Sequence, residues 1–388
     1  MNNNINGKGK GKEYDYDGNL LFEGEYSNGK RNGKGKEYKI NTKDLLFEGQ
    51  YLNGKRNGKG KEYDIGGMCK CRLKFEGEYL NGKRNGKGKE YFNGKLMFKG
   101  EYLNGKRWNG KGYKNYVNKE FEIENGNGKG KEYYYSGQLE FEGEYLNGER
   151  NREGKEYYYD GTLKFEGEYL NGKRWNGNGY NENCNKEFEL KDGNGNVKEY
   201  HPFNGKLIFE GEYLNGEKNG KGKQYDYFGK LMFEGEYLNE KRNGKGAEHN
   251  NYGKLIFEGE YLNGKRNGIG KEYYYNGKLM FEGEYLRGKK WNGKGYHING
   301  YVEFEINNGN GKGKEYDYDG KLIFEGEYLN GLRNGEGKEY YKDDKLMFEG
   351  EYLNGLRWNG KGKEYDYDGK LIFEGEYLNG KRNGIGKE

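Results

Sequence analysis

Lysine and arginine stand side by side at Lys30-Arg31, Lys55-Arg56, Lys83-Arg84, Lys106-Arg107, Lys173-Arg174, Lys241-Arg242, Lys265-Arg266 and Lys381-Arg382. Cations repeated at regular intervals can hold an acidic protein surface or the headgroups of an anionic bilayer, provided the fold brings them to one edge. The plainer reading is a solvated edge whose cations pair with strand glutamates, each pair contributing roughly 0.2–1 kcal/mol. Phe257, Tyr261, Phe281, Tyr285, Phe324 and Tyr328 recur just as regularly. They form either a core or a groove for an extended peptide or a helix.

Other residue types with chemical potential do not assemble into a reactive site. Cys69-x-Cys71 has no Cys or His partner at zinc-site spacing, so it reads as a loop thiol pair. His201, His249 and His297 are spaced by 48 residues. Two repeats of two strands separate them by roughly 19 Å, too far to share a metal. The aliphatic hydroxyls Ser27, Thr42, Ser136 and Thr162 lie away from any histidine in the repeat frame. Gly-Lys-Gly-Lys would need a helix after it to act as a phosphate loop. Glu-Gly-Glu occurs in nearly every unit, whereas catalytic carboxylates need unequal environments. No enzymatic activity, metal or cofactor is expected.

These residues belong to one recurring phrase, Phe-Glu-Gly-Glu-Tyr-Leu-Asn-Gly-Lys-Arg-Asn-Gly-Lys-Gly-Lys-Glu-Tyr, seen whole from Phe257. Sixteen Phe anchors run from Phe22 to Phe373, and Phe209, Phe233, Phe257 and Phe281 step by 24 residues. A fixed period of this size means an array in which each unit buries its apolar face against its neighbours. The whole of 1–388 is therefore expected to be a single repeat array.

The 388-residue chain is only 31% hydrophobic and is 34% charged, with a mean hydropathy of −1.38. That balance alone would suggest disorder, but 42 Tyr and 19 Phe at fixed offsets from Gly favour an ordered fold. Alanine occurs once, at Ala247, and Gly recurs every few residues, which excludes helix. The 69 basic and 64 acidic residues interleave to a net charge of +5, unlike the one-sided basic surface of a nucleic-acid binder. The stretch from Met1 to Asn6 has no apolar run, so no secretory leader is expected. A cytoplasmic location follows, with membrane or cytoskeletal association left open.

The unit around Phe324 shows the local fold. Leu322, Phe324, Gly326 and Tyr328 alternate with Ile323, Glu325 and Glu327, which is the period of a strand. Asp319-Gly320 marks a hairpin turn after Tyr316 and Tyr318. A three-residue loop with a bulge would place Tyr316, Tyr318, Leu322, Phe324 and Tyr328 on one face, although a one-residue slip reverses this. Asn330 to Gly335, with two Asn-Gly pairs, reads as the other turn. The fold class is thus all-β: an elongated, twisted, single-layer antiparallel meander of about 16 hairpin repeats.

The pattern breaks in shortened units near 121–130, 188–197 and 304–313, each after an extra tryptophan: Trp108, Trp175 and Trp291. Trp358 carries the same insertion without a short unit. Two readings stay open: duplication of a cassette, or short hairpins that bend or narrow the sheet. Residues 64–72 enlarge one turn and are expected to project from an edge.

The pattern Phe/Tyr-Glu-Gly-Glu-Tyr-x-Asn-Gly-Lys-x-x-Gly-x-Gly resembles the MORN (membrane occupation and recognition nexus) repeat across essentially the whole chain. The family often has Trp where this chain has Tyr26, Tyr79 or Tyr261, and His where it has Asn32, Asn85 or Asn267. The Tyr-rich segment with Gly-Lys-Leu also resembles the antitoxin-type subclass. The resemblance implies a non-enzymatic scaffold that docks protein partners. The rival is an anionic-phospholipid module using the basic loop edge at Lys30, Arg31, Lys55, Arg56, Lys83, Arg84, Lys241, Arg242, Lys265 and Arg266. Uncapped ends and a thin apolar face add the expectation of a homodimer.

Overall fold

The computed structural model describes residues 8–15, 19–40, 44–64, 72–114, 118–134, 137–341, 345–365 and 370–387. Cys69, Cys71, Thr42, Ser136, residues 65–71 of the expected projecting segment and the first seven residues lie outside this set. The described residues contain 33 strands, numbered in chain order, and no helix. Every pairing is antiparallel between consecutive strands, in open sheets of 16, 10 and 7 strands. The chain divides into two compact units, Met1–Gly193 and Asn194–Glu388. The first unit holds the sheet from β1 (Lys8–Tyr14) to β16 (Lys186–Leu190). The second holds the sheet from β17 (Gly195–Tyr200) to β26 (Val302–Ile306), and that from β27 (Gly311–Tyr316) to β33 (Lys381–Lys387).

One hairpin explains the others. In β2 (Leu20–Ser27), alternation puts Phe22, Gly24 and Tyr26 on one face. Gly24 lies opposite Gly11 of β1 and Gly35 of β3 (Lys30–Tyr38). With no Cβ on these residues, the Phe22 ring lies over bare backbone: a Cβ on Gly35 would come within 2.3 Å of its Cζ. Tyr26 packs edge-on against Phe22 at 5.7 Å, and Tyr51 of the next hairpin does so at 5.1 Å. The same Phe–Tyr alternation continues as a chain of edge-to-face rings, each contact contributing about 0.5–1.5 kcal/mol beyond burial. Phe22, Phe47, Phe75 and Phe98 are fully buried, as are Phe233, Phe257 and Phe281 in the second unit.

Two turn expectations are corrected. The loop at Asn330 to Gly335 is a tight turn of Asn330 (φ 54°) and Gly331 (φ 70°) alone. Leu332 to Gly335 already belong to the strand Leu332–Tyr340. The second Asn-Gly works between hairpins instead: Asn334 Oδ1 accepts the backbone N–H of Asn354 in the next turn at 3.2 Å. At the other end of the hairpin the bulge is present, but it separates the tyrosines. Glu315 pairs with Phe324 and shares its face, while the next step pairs Tyr316 with Leu322. Tyr316 therefore follows Lys314 onto the opposite face, where its hydroxyl donates to Glu303. The expected grouping of Tyr316 with Phe324 and Tyr328 does not form.

At the shortened units the hairpins on either side come into contact. β10 (Asn118–Glu124) and β11 (Asn127–Tyr133) share only the pairs Ile123–Gly128 and Glu124–Asn127. Ile123, buried to 1% exposure, occupies the place of the usual glycine. The Trp108 ring closes on Gly126, where an added Cβ would meet it at 2.8 Å. The flanking hairpins then touch across the short one, Lys106 Nζ reaching Glu149 Oε1 at 2.7 Å. In the second unit Trp291 covers Gly309 likewise. There the Tyr275 N–H donates to the Tyr318 carbonyl at 2.8 Å, and the two rings stack at 5.1 Å.

The glycine floor generates a direct test. A Cβ at Gly88 would meet Phe75 Cζ at 2.5 Å and Tyr102 at 3.0 Å. Gly88→Ala is expected to cost about 1–3 kcal/mol, the range for overpacking, measured by urea denaturation. Unchanged stability would mean that the ring is not held against the backbone.

Candidate functional site

The anchor phenylalanine of each full-length hairpin is covered on its ring face by a cation. The Arg31 guanidinium lies 4.0 Å above the Phe22 ring centroid, Arg84 lies 4.1 Å above Phe75, and Arg266 lies 4.0 Å above Phe257. The arginines also bridge glutamates of neighbouring strands. Arg31 pairs with Glu13 at 2.5 Å and Glu37 at 3.3 Å, Arg56 with Glu37 at 2.5 Å and Glu62 at 3.6 Å. Arg84 continues the ladder to Glu62 at 2.6 Å and Glu90 at 3.0 Å, and Arg107 closes it on Glu90. In the second unit Arg242 and Arg266 share Glu248 at 2.9 and 2.5 Å. Some tyrosine hydroxyls join the network; that of Tyr79 donates to Glu62 Oε1 at 2.8 Å and that of Tyr169 to Glu156 Oε1 at 2.9 Å.

This geometry corrects both expected sites. Phe257, Phe281, Phe324, Tyr261 and Tyr285 are at most 4% exposed, and Tyr328 is partly buried against them. The aromatic face is a core one ring thick beneath a charged ladder, so those six residues do not line an open groove. Neither do the Lys-Arg pairs project together, because strand alternation sends the two side chains to opposite faces. Arg31, Arg56, Arg84, Arg242 and Arg266 fold back over the rings with 16–26% side-chain exposure. Lys30, Lys55, Lys83, Lys241 and Lys265 remain exposed beside the turns.

At that turn edge Lys30 pairs with Ser27, and the other lysines pair with a leucine across the hairpin end, as Leu52 with Lys55, Leu80 with Lys83 and Leu262 with Lys265. These leucines are 49–51% exposed, which makes a row of alternating apolar and cationic groups. The sheet face that carries them is lined further in by the Glu-x-Glu and Lys-x-Lys side chains. Over β1 to β9 (Lys106–Lys114) it forms a trough of about 1620 Å³. The histidines lie at the opposite turns, His201 4.9 Å from the Tyr227 ring and His297 stacked on Tyr301 at 4.8 Å. Among the described residues no group of three or more His, Cys, Asp or Glu side chains could hold a metal ion.

The ladder sets the acid stability. The bond from Arg31 holds the Glu13 carboxyl below its ordinary value of 4.5, against the opposing effect of burial. Burial would raise Glu62, but Arg84 and Tyr79 outweigh it and keep it low as well. A folded-state value below the unfolded one gives stability that is present above the unfolded value and lost as pH falls through the folded value. The melting temperature is therefore expected to drop as pH is lowered below 4.5, and not between pH 5 and 8. Arg84→Ala, which leaves Glu62 to Arg56 and Tyr79 and Glu90 to Arg107, is expected to cost about 1–3 kcal/mol at neutral pH through lost charged hydrogen bonds. Denaturation curves across pH, with Lys83→Ala as the exposed control, read both effects.

The MORN repeat family matches residues 22–41, 47–68, 75–95, 141–163, 209–226, 257–278, 324–345 and 373–388. A MORN repeat variant matches 8–28, 126–147, 309–330 and 358–379. No curated protein matches the sequence. Among solved structures the chain is similar to TcdB2-TccC3-TEV and TcdB2-TccC3, each at 10% identity, over 95% of this chain and 20% of that chain. TcdB2-TccC3 without its hypervariable C-terminal region matches at 8% identity, over 95% of this chain and 22% of that chain. The chain thus spans about a fifth of those chains, and a TM-score of 0.14 in all three is too low to inform the fold. The aromatic-on-glycine hairpins and the repeat matches along the chain agree: it belongs to the MORN-repeat family.

Proposed function

We propose that the chain is a non-catalytic scaffold that docks protein partners along the sheet face opposite its rings. The observation that carries this reading is a division of labour between the faces. The Phe–Arg–Glu face is consumed in holding the hairpins together, whereas the lysine- and glutamate-lined face contributes no core. A surface that the fold does not use, repeated hairpin after hairpin, suits an extended partner better than a small substrate. A cytoplasmic setting fits the free lysine and glutamate surface.

One observation favours a second reading. The exposed leucines at the Asn-Gly turns, among them Leu52, Leu80 and Leu103 beside lysines, are suited to entering the interface of an anionic bilayer while the ammonium groups meet headgroups. The two readings share the leucine rim but differ in their use of the trough lysines, so they separate experimentally. The immobilised chain is expected to capture a defined protein set that is lost on charge reversal of the trough-lining lysines and only weakened by a leucine variant, Leu52→Ser, Leu80→Ser and Leu103→Ser together. Co-sedimentation with phosphatidylserine vesicles is expected to stay weak at 0.1 M salt. Strong vesicle binding that fades at 1 M salt, as the Debye length shrinks to about 3 Å, and that the leucine variant abolishes, would establish the membrane reading instead.

A further inference from the structure

The trough over β1 to β9 differs in charge from the same face elsewhere. Ten lysines and six glutamates line it, whereas a smaller hollow over part of the second unit, between Glu303 and Glu349, is lined by three lysines and four glutamates. Two departures from the repeat create the difference. Lys99 stands where the phrase has its first glutamate, and Gln50 stands where it has its second. Lys99 lies directly opposite both Lys89 and Lys111. Like charges facing each other across strands oppose folding, so the fold itself gives no reason for this lysine.

The carboxylates of the trough are already engaged. Tyr38, Tyr63 and Tyr91 donate to Glu23, Glu48 and Glu76 at 2.6–2.7 Å. Glu25 and Glu78 accept backbone N–H groups of Lys34 and Lys87 at 3.0 Å, and Glu101 accepts from Asn109 at 3.1 Å. By contrast, the ammonium groups of Lys10, Lys34, Lys59, Lys87 and Lys99 have no ion pair among the described residues. What the trough offers a ligand is therefore a set of free cations above satisfied anions.

We propose that this N-terminal trough is the docking site of an acidic, amphipathic polypeptide segment, a proposal that rests on the scaffold reading above. Lys34, Lys59 and Lys87 occupy matching positions on every second strand, roughly 9.6 Å apart at sheet spacing. A segment crossing the strands meets them with carboxylates seven residues apart in a helix, at about 10.5 Å. Leu52, Leu80 and Leu103 lie on the same face at the turn-side rim and take the apolar side of the segment. A nucleic acid, uniformly anionic, would face the six glutamates.

The probe is a fluorescein-labelled 21-residue helix-forming peptide with glutamates at i, i+3, i+4 and i+7 and leucines on the other side. Its twin carries glutamine for glutamate. Anisotropy titrations with the full chain are expected to show saturable binding of the acidic peptide, weakened at least tenfold at 0.3 M salt and absent with the twin. Lys99→Glu restores the repeated phrase and so keeps the hairpin intact; combined with Lys34→Glu it is expected to weaken binding at least tenfold. Lys221→Glu with Lys223→Glu, in the second unit, is expected to change it less than twofold. Equal loss in both variants, no salt-sensitive binding, or tighter binding of duplex DNA or phosphatidylserine vesicles through Lys34 and Lys99 would overturn the proposal. If the chain still captures protein partners while Lys34→Glu/Lys99→Glu changes nothing, this proposal fails and the scaffold reading stands.

Discussion

A phenylalanine ring lying flat on paired glycines, and roofed by an arginine, is the contact on which everything else in this protein depends. A single sheet has no second layer against which to bury apolar surface. The Phe22 ring finds that layer in its own sheet, with Gly24 and Gly35 beneath it, Tyr26 and Tyr51 at its edges and Arg31 above. Removing the side chains from the floor lets the ring approach to van der Waals contact. Stacking the roof as a guanidinium lets one group both cover the ring and bridge two carboxylates. The core is then one ring thick, and between full-length hairpins each ring takes a tyrosine from the next, whereas Phe98 and Phe165 stack on the phenylalanine of a shortened unit.

That dependence makes stability a nearest-neighbour property. Hairpins are coupled through the rings, through Arg–Glu pairs such as Arg56 with Glu37, and through Asn side chains such as Asn334 that bind the next turn. A short hairpin loses the Tyr-Leu of the phrase and with it part of this coupling. Trp108 and Trp291 supply the missing contact by covering Gly126 and Gly309, and the flanking hairpins close over the gap.

Much of this was legible in the sequence, because both signals are local. Period-2 alternation around Phe324 named the strand, and the repeat named the meander. The faces were misassigned where parity had to be carried across a turn. Counting the Lys30–Arg31 step as a strand step would have separated the two side chains, but the loop was read as extending to the second Asn-Gly. The left-handed φ of both Asn330 and Gly331 ends that loop two residues after it begins. Tyr316 was misplaced for a similar reason, since a bulge at the Glu315–Tyr316 step moves it off the face of its partner. The candidate groove failed on energetics: aromatic rings in a single-layer sheet are too scarce to be left uncovered. The trough lysines were passed over because Lys99 was read as part of an otherwise regular anchor.

The two faces also differ in how freely they can vary among copies of the repeat within this one chain. On the ring face each position is constrained from both sides, since Gly88 cannot take a Cβ and Glu62 must serve Tyr79 and Arg84 together. Nothing comparable restrains the opposite face, where Ala247 and Ile269 replace lysines, Glu336 opposes Glu351, and Lys99 opposes two lysines. A repeat built this way can hold its fold constant and still give each stretch of the other face its own charge. Specificity along such an array does not need a pocket. It needs only that the departures from the phrase fall on the face the fold leaves free, which is where Gln50 and Lys99 fall.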